Sequence, residues 1–550
     1  MATTINREAR DMRTEHPGGH AHPATAGLAP YAGSWTRAEA AHLARRTMFG
    51  ATKRDIDALS AMSAQSAVSA LLSGAPALAE PVAYIKSGSV AAGSAWADTA
   101  YDAAVDTQRF YFAQTWWINA MLNQPLSITE KMTLFWHNHF ATSNTAVKDA
   151  RYIVKQNELL REYALGNVKD LVRQITLDPA MLRYLSGNTN TKTRPNENYA
   201  RELQELFTLG KGPERSTGDY TTYTEDDVKA AARVLTGWSD VQVSATVKFT
   251  AANHDGTDKK FSAAYGDMVI SGGTTEVAAR REIDDLLTMI FARTEVAERI
   301  VRKLYRWFVD YEIDDTIERE IIRPLADRLR TGNYEIKPVL ATLLGSSFFF
   351  DAVIRGCLIK SPVDFVIGTL RNFRAPDFFE TDPAQQFWGG RTLRRLFNSM
   401  QQEIFNSPNV AGWAAYYQAP QYHEWWINTD SLRKRVKFIN DLATDGMTID
   451  EQYDKGYFDV IEAAKRTTDP SKADVIIREW CEWCFALPMP DESLNMFKQA
   501  LLGGLPEYEW TVEWNAFVAD ETNDMARAPV VTKLRALVKF MLNMAEYHVS

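Results

Sequence analysis

The chain has 550 residues, of which 45% are hydrophobic and 24% charged, the ordinary composition of a folded globular protein. This composition excludes collagen-like, low-complexity and wholly disordered chains. The formal net charge of −9, without a basic stripe, argues against a nucleic-acid-binding protein, and three cysteines are too few for a disulfide framework.

The N-terminus lacks the features of a targeting segment. Its first 30 residues contain no apolar core of a secretory signal, and no run of 18 apolar residues could span a membrane. We therefore expect a cytoplasmic protein without a membrane span. Residues 1–33 are rich in Gly, Pro, Thr and Ala, so they predict a disordered tail, and three of the nine histidines lie there.

Helical periodicity begins after this tail and continues almost to the end of the chain. The spacing of a capping box occurs three times, at Thr36 with Glu39, Ser127 with Glu130, and Thr224 with Asp227. Between 241 and 271 apolar and polar residues alternate, which predicts a small β-hairpin insertion. The predicted fold is mainly α, a multi-helical globular bundle that forms one large domain over 34–550, with an optional C-terminal helical subdomain from about residue 430.

His137 and His139 are the first candidate site residues, in a predicted helix rich in aromatic residues. In a regular helix their side chains point about 200° apart, so only one of them can face a site. At an unwound helix end both could bind one metal. The sequence leaves two interpretations open, a metal site and a pair of core histidines with satisfied hydrogen bonds.

A second candidate lies on the helix that Asn196 is predicted to cap. At 100° per residue Asn198, Glu202 and Glu205 fall on one face of this helix. Arg201 lies beside that face. Helical metalloenzymes use such paired carboxylates as oxygen ligands. The other interpretation is a solvated stripe with an internal Arg–Glu pair.

The third candidate is the loop with His254 and Asp255, which Lys259 and Lys260 follow. A His–Asp pair can bind a metal, or the carboxylate can orient an imidazole that acts as a general base. With Gly256 the same residues also form an ordinary turn sequence.

Several short stretches occur in the order typical of one bacterial family. They are 42–50, 135–143, 196–210, 223–228, 231–233, 236–238, 254–256, 360–366 and 410–413. Over roughly residues 36–550 the chain therefore resembles the family called domain of unknown function 1800. The resemblance implies export and a sulfatase-like partner protein. The absence of a readable secretory signal differs from what the family implies about export. It also implies that the polar side chains in these stretches meet in one site, namely His42, His137, His139, Glu197, Glu202, Glu205, His254 and Asp255.

These observations predict an enzyme with one divalent metal, Zn, Fe or Mn. Its ligands would come from His137, His139, Glu202, Glu205, His254 and Asp255. The metal would lower the pKa of a bound water for hydrolysis of an ester or phosphoester. His254 and Asp255 would also act in catalysis. Arg201 and Lys260 would hold an anionic group of a small-molecule or glycan-like substrate, and Glu197 would orient a ligand.

Two alternatives to a metal-dependent hydrolase remain open. The same two-histidine and carboxylate set suits a non-haem iron enzyme that activates oxygen. A third interpretation has no catalysis. In it the polar groups form a buried network that joins helices, and the protein binds partners or takes part in envelope assembly.

Overall fold

Helices make up most of the chain. The computed structural model describes residues 27–216, 219–374, 382–451, 453 and 455–550. Strands in these residues are confined to three two-stranded antiparallel sheets, so the predicted mainly α fold is confirmed. None of the described helices has both the length and the apolar character needed to cross a bilayer.

The helices are numbered in chain order. Those before residue 240 are α1 (Arg37–Thr47), α2 (Lys53–Ser60), α3 (Ala64–Leu71), α4 (Asp106–Leu122), α5 (Thr129–His139), α6 (Asn144–Val147), α7 (Ala150–Glu162), α8 (Val168–Thr176), α9 (Pro179–Tyr184), α10 (Asn198–Glu202) and α11 (Glu225–Val234). α10 continues directly into a π-helix, Leu203–Thr208.

The later helices follow the small sheets. They are α12 (Glu276–Phe291), α13 (Thr294–Phe308), α14 (Asp315–Ile317), α15 (Arg323–Thr331), α16 (Ile336–Leu344), α17 (Pro362–Asn372), α18 (Pro383–Ser399), α19 (Thr429–Asn440), α20 (Val460–Lys465), α21 (Ala473–Cys484), α22 (Asp491–Leu502), α23 (Glu507–Ala519) and α24 (Asp524–Leu542). Single-turn 3-10 helices include Ala414–Tyr416, Tyr422–Trp426 and Ala545–His548.

Side-chain caps explain where several helices begin. Two of the three predicted capping boxes are present, those of Thr36 with Glu39 and of Thr224 with Asp227. The third prediction, at Ser127 and Glu130, is wrong, because α5 has no side-chain cap. Glu130 instead accepts hydrogen bonds from Trp117 Nε1 and Arg161 Nε, both at 2.8 Å. A buried ion pair outcompetes the cap for this carboxylate.

The predicted hairpin insertion is present as two short hairpins. Trp238–Val241 pairs with Thr246–Phe249, and Lys259–Lys260 pairs with Val269–Ile270. The turn that carries His254 lies between them. The sequence did not predict the third sheet, in which 214–216 pairs with 219–220.

The buried apolar side chains of the described residues join in one core that runs from α1 to the last 3-10 helix. Of the predicted disordered tail, residues 1–26 lie outside the described residues. In the rest of it, Tyr31 N donates to Gly345 O at 2.8 Å, and Pro30 pairs with Ser346. The division near residue 430 stays a prediction.

Two glycines let α1 approach α17. Gly50 follows α1 with φ +74°, and a Cβ there would lie 2.9 Å from the Cα of Gly368 in α17. A Cβ on Gly368 would in turn lie 3.3 Å from the Cα of Gly50. Both contacts are with backbone, which cannot rotate away. This contact fixes two helices whose side chains line the cavity described below.

We predict that Gly50→Ala lowers the free energy of unfolding by about 2–3 kcal/mol, because it adds a clash with backbone to the cost of a positive φ. Gly74→Ala is the matched control, since Gly74 also has a positive φ, +92°, but nothing within 4 Å of its Cβ position. Urea unfolding of both variants measures the difference. Equal losses would show that the helix contact carries no strain of its own.

Candidate functional site

The structure places His137 in the core. Its Nε2 accepts a hydrogen bond from Phe405 N at 3.1 Å, and its ring packs edge-on against Trp117 and Trp413. Burial lowers the pKa of His137 to about 3, so the ring is neutral. The backbone donor occupies Nε2, so this nitrogen is not free to bind a metal.

His139 points to a different neighbourhood, as the 200° separation predicts. Its Nε2 donates to Phe207 O at 3.0 Å, and its Nδ1 accepts from Lys303 Nζ at 2.9 Å. Burial, then the charges of Lys303 and Arg299, lower the pKa of His139 well below its usual value. Both ring nitrogens are therefore occupied. His139 does reach the π-helix of the second candidate, but through a backbone oxygen rather than a carboxylate.

Glu202 and Glu205 are neighbours, as their spacing predicts. Burial raises the pKa of Glu202, and the charge of Glu205 raises it further. Glu205 accepts from Tyr223 Oη at 3.1 Å and pairs with Lys211 Nζ at 2.9 Å. Asn196 Oδ1 accepts from Asn198 N at 3.0 Å, in the manner of a cap.

His254 has a partner that the sequence did not reveal. Its Nδ1 lies 2.8 Å from Thr236 O, and its Nε2 lies 3.2 Å from Glu282 Oε1. Lys259 Nζ pairs with the other oxygen of Glu282. Both ring nitrogens face acceptors. The side chains of His254, Lys259 and Glu282 have no exposed surface, so substrate cannot touch His254.

Asp255 turns away from His254. Its Oδ2 accepts from Arg233 Nε at 2.6 Å, and its Oδ1 accepts from Thr257 Oγ1 at 2.6 Å. Although burial opposes it, these hydrogen bonds lower the pKa of Asp255. His254 and Asp255, the predicted catalytic pair, thus contact different partners.

The remaining predicted site residues, Arg201, Glu197 and Lys260, are partly or fully exposed. Arg201 pairs with Glu225 at 2.6 Å and with Glu197 at 3.2 Å. The internal Arg–Glu pair expected for a solvated stripe is therefore present. Lys260 is exposed on its strand.

These contacts decide how well a metal would fit. Nowhere in the described part of the chain do three His, Cys, Asp or Glu side chains come together as a metal would require. His42 is also engaged, with Nε2 at 3.0 Å from Phe349 O. The residues present therefore do not fit a metal in their observed arrangement. The metal-dependent hydrolase and the non-haem iron enzyme stay predictions.

A narrow cavity gathers charges that the sequence did not single out. It lies where α1, α5, α13 and α17 meet the 3-10 helices near 416 and 423, and a water-sized sphere reaches about 30 Å³ of it. A single water requires roughly 10–15 Å³ of such space, so the enclosed part of the cavity holds about two water molecules or a group of that size. We call it the cationic cavity, because its charged side chains are Arg45, Arg46, Lys131, Arg306 and one carboxylate, Asp364, while Ser550, the last residue of the sequence, also lines it.

Among the described residues, only one of these four cations has a carboxylate partner. Lys131 Nζ pairs with Asp364 and lies 5.2 Å from the centre of the Phe49 ring. Arg306 Nε donates to Tyr311 O at 3.2 Å. Its pKa is lowered by burial.

Arg45 and Arg46 are deeply buried. Arg46 Nη2 donates to a backbone oxygen, that of Ile354, but its Nε and Nη1 are buried without a partner. Arg45 Nε is likewise buried and unpartnered, and burial lowers the pKa of Arg45 to about 10. Within the described residues neither arginine forms an ion pair with a carboxylate.

The neutral lining adds further donors. His423 Nδ1 accepts from Ile359 N at 3.0 Å, and burial lowers the pKa of His423 to about 4. The ring is therefore neutral with its proton on Nε2, which is buried and unpartnered. Tyr416 keeps its proton, because burial raises its pKa. The cavity thus combines uncompensated positive charge with free N–H groups.

Two comparisons with known proteins found nothing and one found a family. The family model described as protein of unknown function (DUF1800) matches residues 42–549. No curated protein and no solved structure matches the chain. Two stretches that carry the resemblance, 42–50 and 360–366, contribute Arg45, Arg46 and Asp364 to the cationic cavity.

Proposed function

We propose that this chain, which belongs to the DUF1800 family of proteins of unknown function, binds a compact anion, or the anionic end of a larger ligand, in the cationic cavity. The proposal corresponds to the binding interpretation of the sequence. It needs no metal.

The observation that carries the proposal is the charge of the lining. Among the lining side chains, three arginines accompany one carboxylate, that of Asp364, with which Lys131 already pairs. Burying a charge without a partner is expensive, and an unsatisfied buried donor costs about 1–3 kcal/mol. A protein with a net charge of −9 that nevertheless keeps this cluster is best explained by a ligand that completes it.

The chemistry of the donors narrows the ligand class. A guanidinium presents a planar fork that matches a carboxylate or an oxyanion of phosphorus or sulfur. The small enclosed volume admits such a head group and excludes a bulky one. We therefore expect carboxylate, phosphate or sulfate to bind, and neutral analogues of the same size to bind much less.

Thermal unfolding in acetate, phosphate or sulfate at constant ionic strength tests the proposal. A ligand at about 100 times its Kd stabilises the folded state by about 2.7 kcal/mol, so Tm should rise and then saturate. Arg306→Gln should abolish the saturable rise. Without anion this variant should be no less stable than the wild type, because it removes an uncompensated charge.

The control is Arg323→Gln, which changes an arginine that is 64% exposed and only loosely paired. It should keep the saturable rise, while general stabilisation by sulfate should be the same in all three proteins. The proposal fails if no anion gives a saturable rise, or if the rise persists in Arg306→Gln.

A further inference from the structure

A second pocket lies between α1, α21 and the loop that follows α21. Its volume is about 260 Å³, close to the lower end of the range for small-molecule sites. Arg45 lines both this pocket and the cationic cavity. The other lining residues of the pocket and of the cationic cavity are all different, so the pocket is a separate site.

The walls of this pocket are of two kinds. The apolar part consists of Phe485, Leu487, Pro488, Met489 and Leu494. Leu487 is 50% exposed, so its side chain offers apolar surface at the pocket. The charged part consists of Arg45, Arg355, Arg478 and Glu482.

The one carboxylate in the lining is already used. Arg37 holds Glu482 with its Nε and Nη2, at 2.7–3.0 Å. Arg355 Nη2 pairs with Glu39 at 2.7 Å, but Arg355 Nε is buried without a partner. Arg45 Nε is likewise buried without a partner among the described residues. Among the described residues, the Nε–H groups of these two pocket-lining arginines therefore have no acceptor.

The two guanidiniums are also close enough to repel each other. The repulsion by Arg355 adds to the effect of burial, which is the largest cause of the lowered pKa of Arg45. A carboxylate bound beside both guanidiniums would neutralise this repulsion.

We propose that this pocket binds an amphipathic monocarboxylate such as octanoate, with its carboxylate beside the guanidiniums of Arg45 and Arg355 and its chain on the apolar wall. Charge complementarity selects the head group. The exposed leucine and its apolar neighbours select the tail. This inference does not depend on the cationic cavity having a ligand.

Calorimetric titration with acetate, hexanoate, octanoate and 1-octanol tests the proposal. Each added methylene should tighten binding about fourfold, so octanoate should bind roughly sixteenfold more tightly than hexanoate. Octanol, which lacks the charge, should bind far more weakly. Leu487→Asp should weaken octanoate at least about tenfold, because it places a carboxylate beside the chain.

Leu505→Asp is the matched control, since Leu505 is 48% exposed and does not line the pocket. It should leave octanoate binding unchanged. Arg306→Gln separates the two sites, because it should remove the small-anion effect and spare octanoate. The inference is overturned if octanoate does not bind, if Leu487→Asp binds it normally, or if Arg306→Gln abolishes its binding.

Discussion

Glu282→Gln should lower the free energy of unfolding by about 3–5 kcal/mol, the cost of removing one partner from a buried ion pair. Glu282 is the only carboxylate in contact with His254 and Lys259 among the described residues, and all three side chains are fully buried. Gly273 N also donates to Glu282, at 2.9 Å. The neutral amide would leave the buried ammonium of Lys259 without a counter-charge and would weaken the contact with His254.

Glu276→Gln is the matched control, on the same helix. Glu276 pairs with Arg280 at the surface, where such pairs contribute about 0.3–0.5 kcal/mol. The double variant Glu282→Leu with Lys259→Met should lose less than the two single variants together, because it removes both charges. A loss below about 1 kcal/mol for Glu282→Gln would contradict the charged network.

Asp178→Asn should remove a pH dependence of stability. Asp178 caps α9 and accepts from Met181 N and Gln156 Nε2, both at 2.8 Å. Burial raises the pKa of Asp178 from 3.8 to about 7. Between these two values the folded state keeps a proton that the unfolded state has lost, so stability falls as pH rises from about 4 to 7.

The size of the effect follows from the shift. Three pKa units correspond to about 4 kcal/mol, so at pH 8 the variant should be more stable by up to about that amount. At pH 4 the two proteins should be nearly equal, because both side chains are then neutral and accept the same hydrogen bonds. Chemical unfolding of both proteins from pH 4 to 8 measures this difference in stability.

Asp170→Asn serves as the control for this series. Asp170 is an exposed aspartate on α8, so its replacement should leave the pH profile of the wild type unchanged. If Asp178→Asn keeps the fall in stability between pH 4 and 7, a different group causes it.

Local signals predicted the helices well, because they act within a few residues. The capping boxes at Thr36 and Thr224 and the alternation after residue 241 all gave correct elements. The failure at Glu130 has a long-range cause. Arg161, 31 residues away, and Trp117 claim its carboxylate, and neither is visible in the local pattern.

The angular argument for His137 and His139 was also sound. The two rings do face different surroundings, one beside Phe405 and the other beside Lys303. What spacing could not supply was the partner of each ring. Nor could it identify Glu282, which lies 28 residues from His254 and behind a separate hairpin.

The cationic cavity escaped sequence analysis because its charges come from four distant helices. The adjacent Arg45 and Arg46 were the one local sign, since they interrupt a helix whose other positions are mostly small and apolar. Lys131 gave a weaker sign, because it lies in a helix that is buried on all sides. A cation at such a position needs a partner, and only the fold reveals how few there are.

Crystals of the protein soaked in selenate would test the central claim most directly, because selenium scatters anomalously and marks the anion without ambiguity. The cationic cavity predicts an anomalous peak beside the Arg46 and Arg306 guanidiniums, placed so that the selenate oxygens accept hydrogen bonds from them, and its loss in Arg306→Gln. Peaks confined to the protein surface, with none in the cavity of the wild type, would contradict the proposal that this site binds an anion.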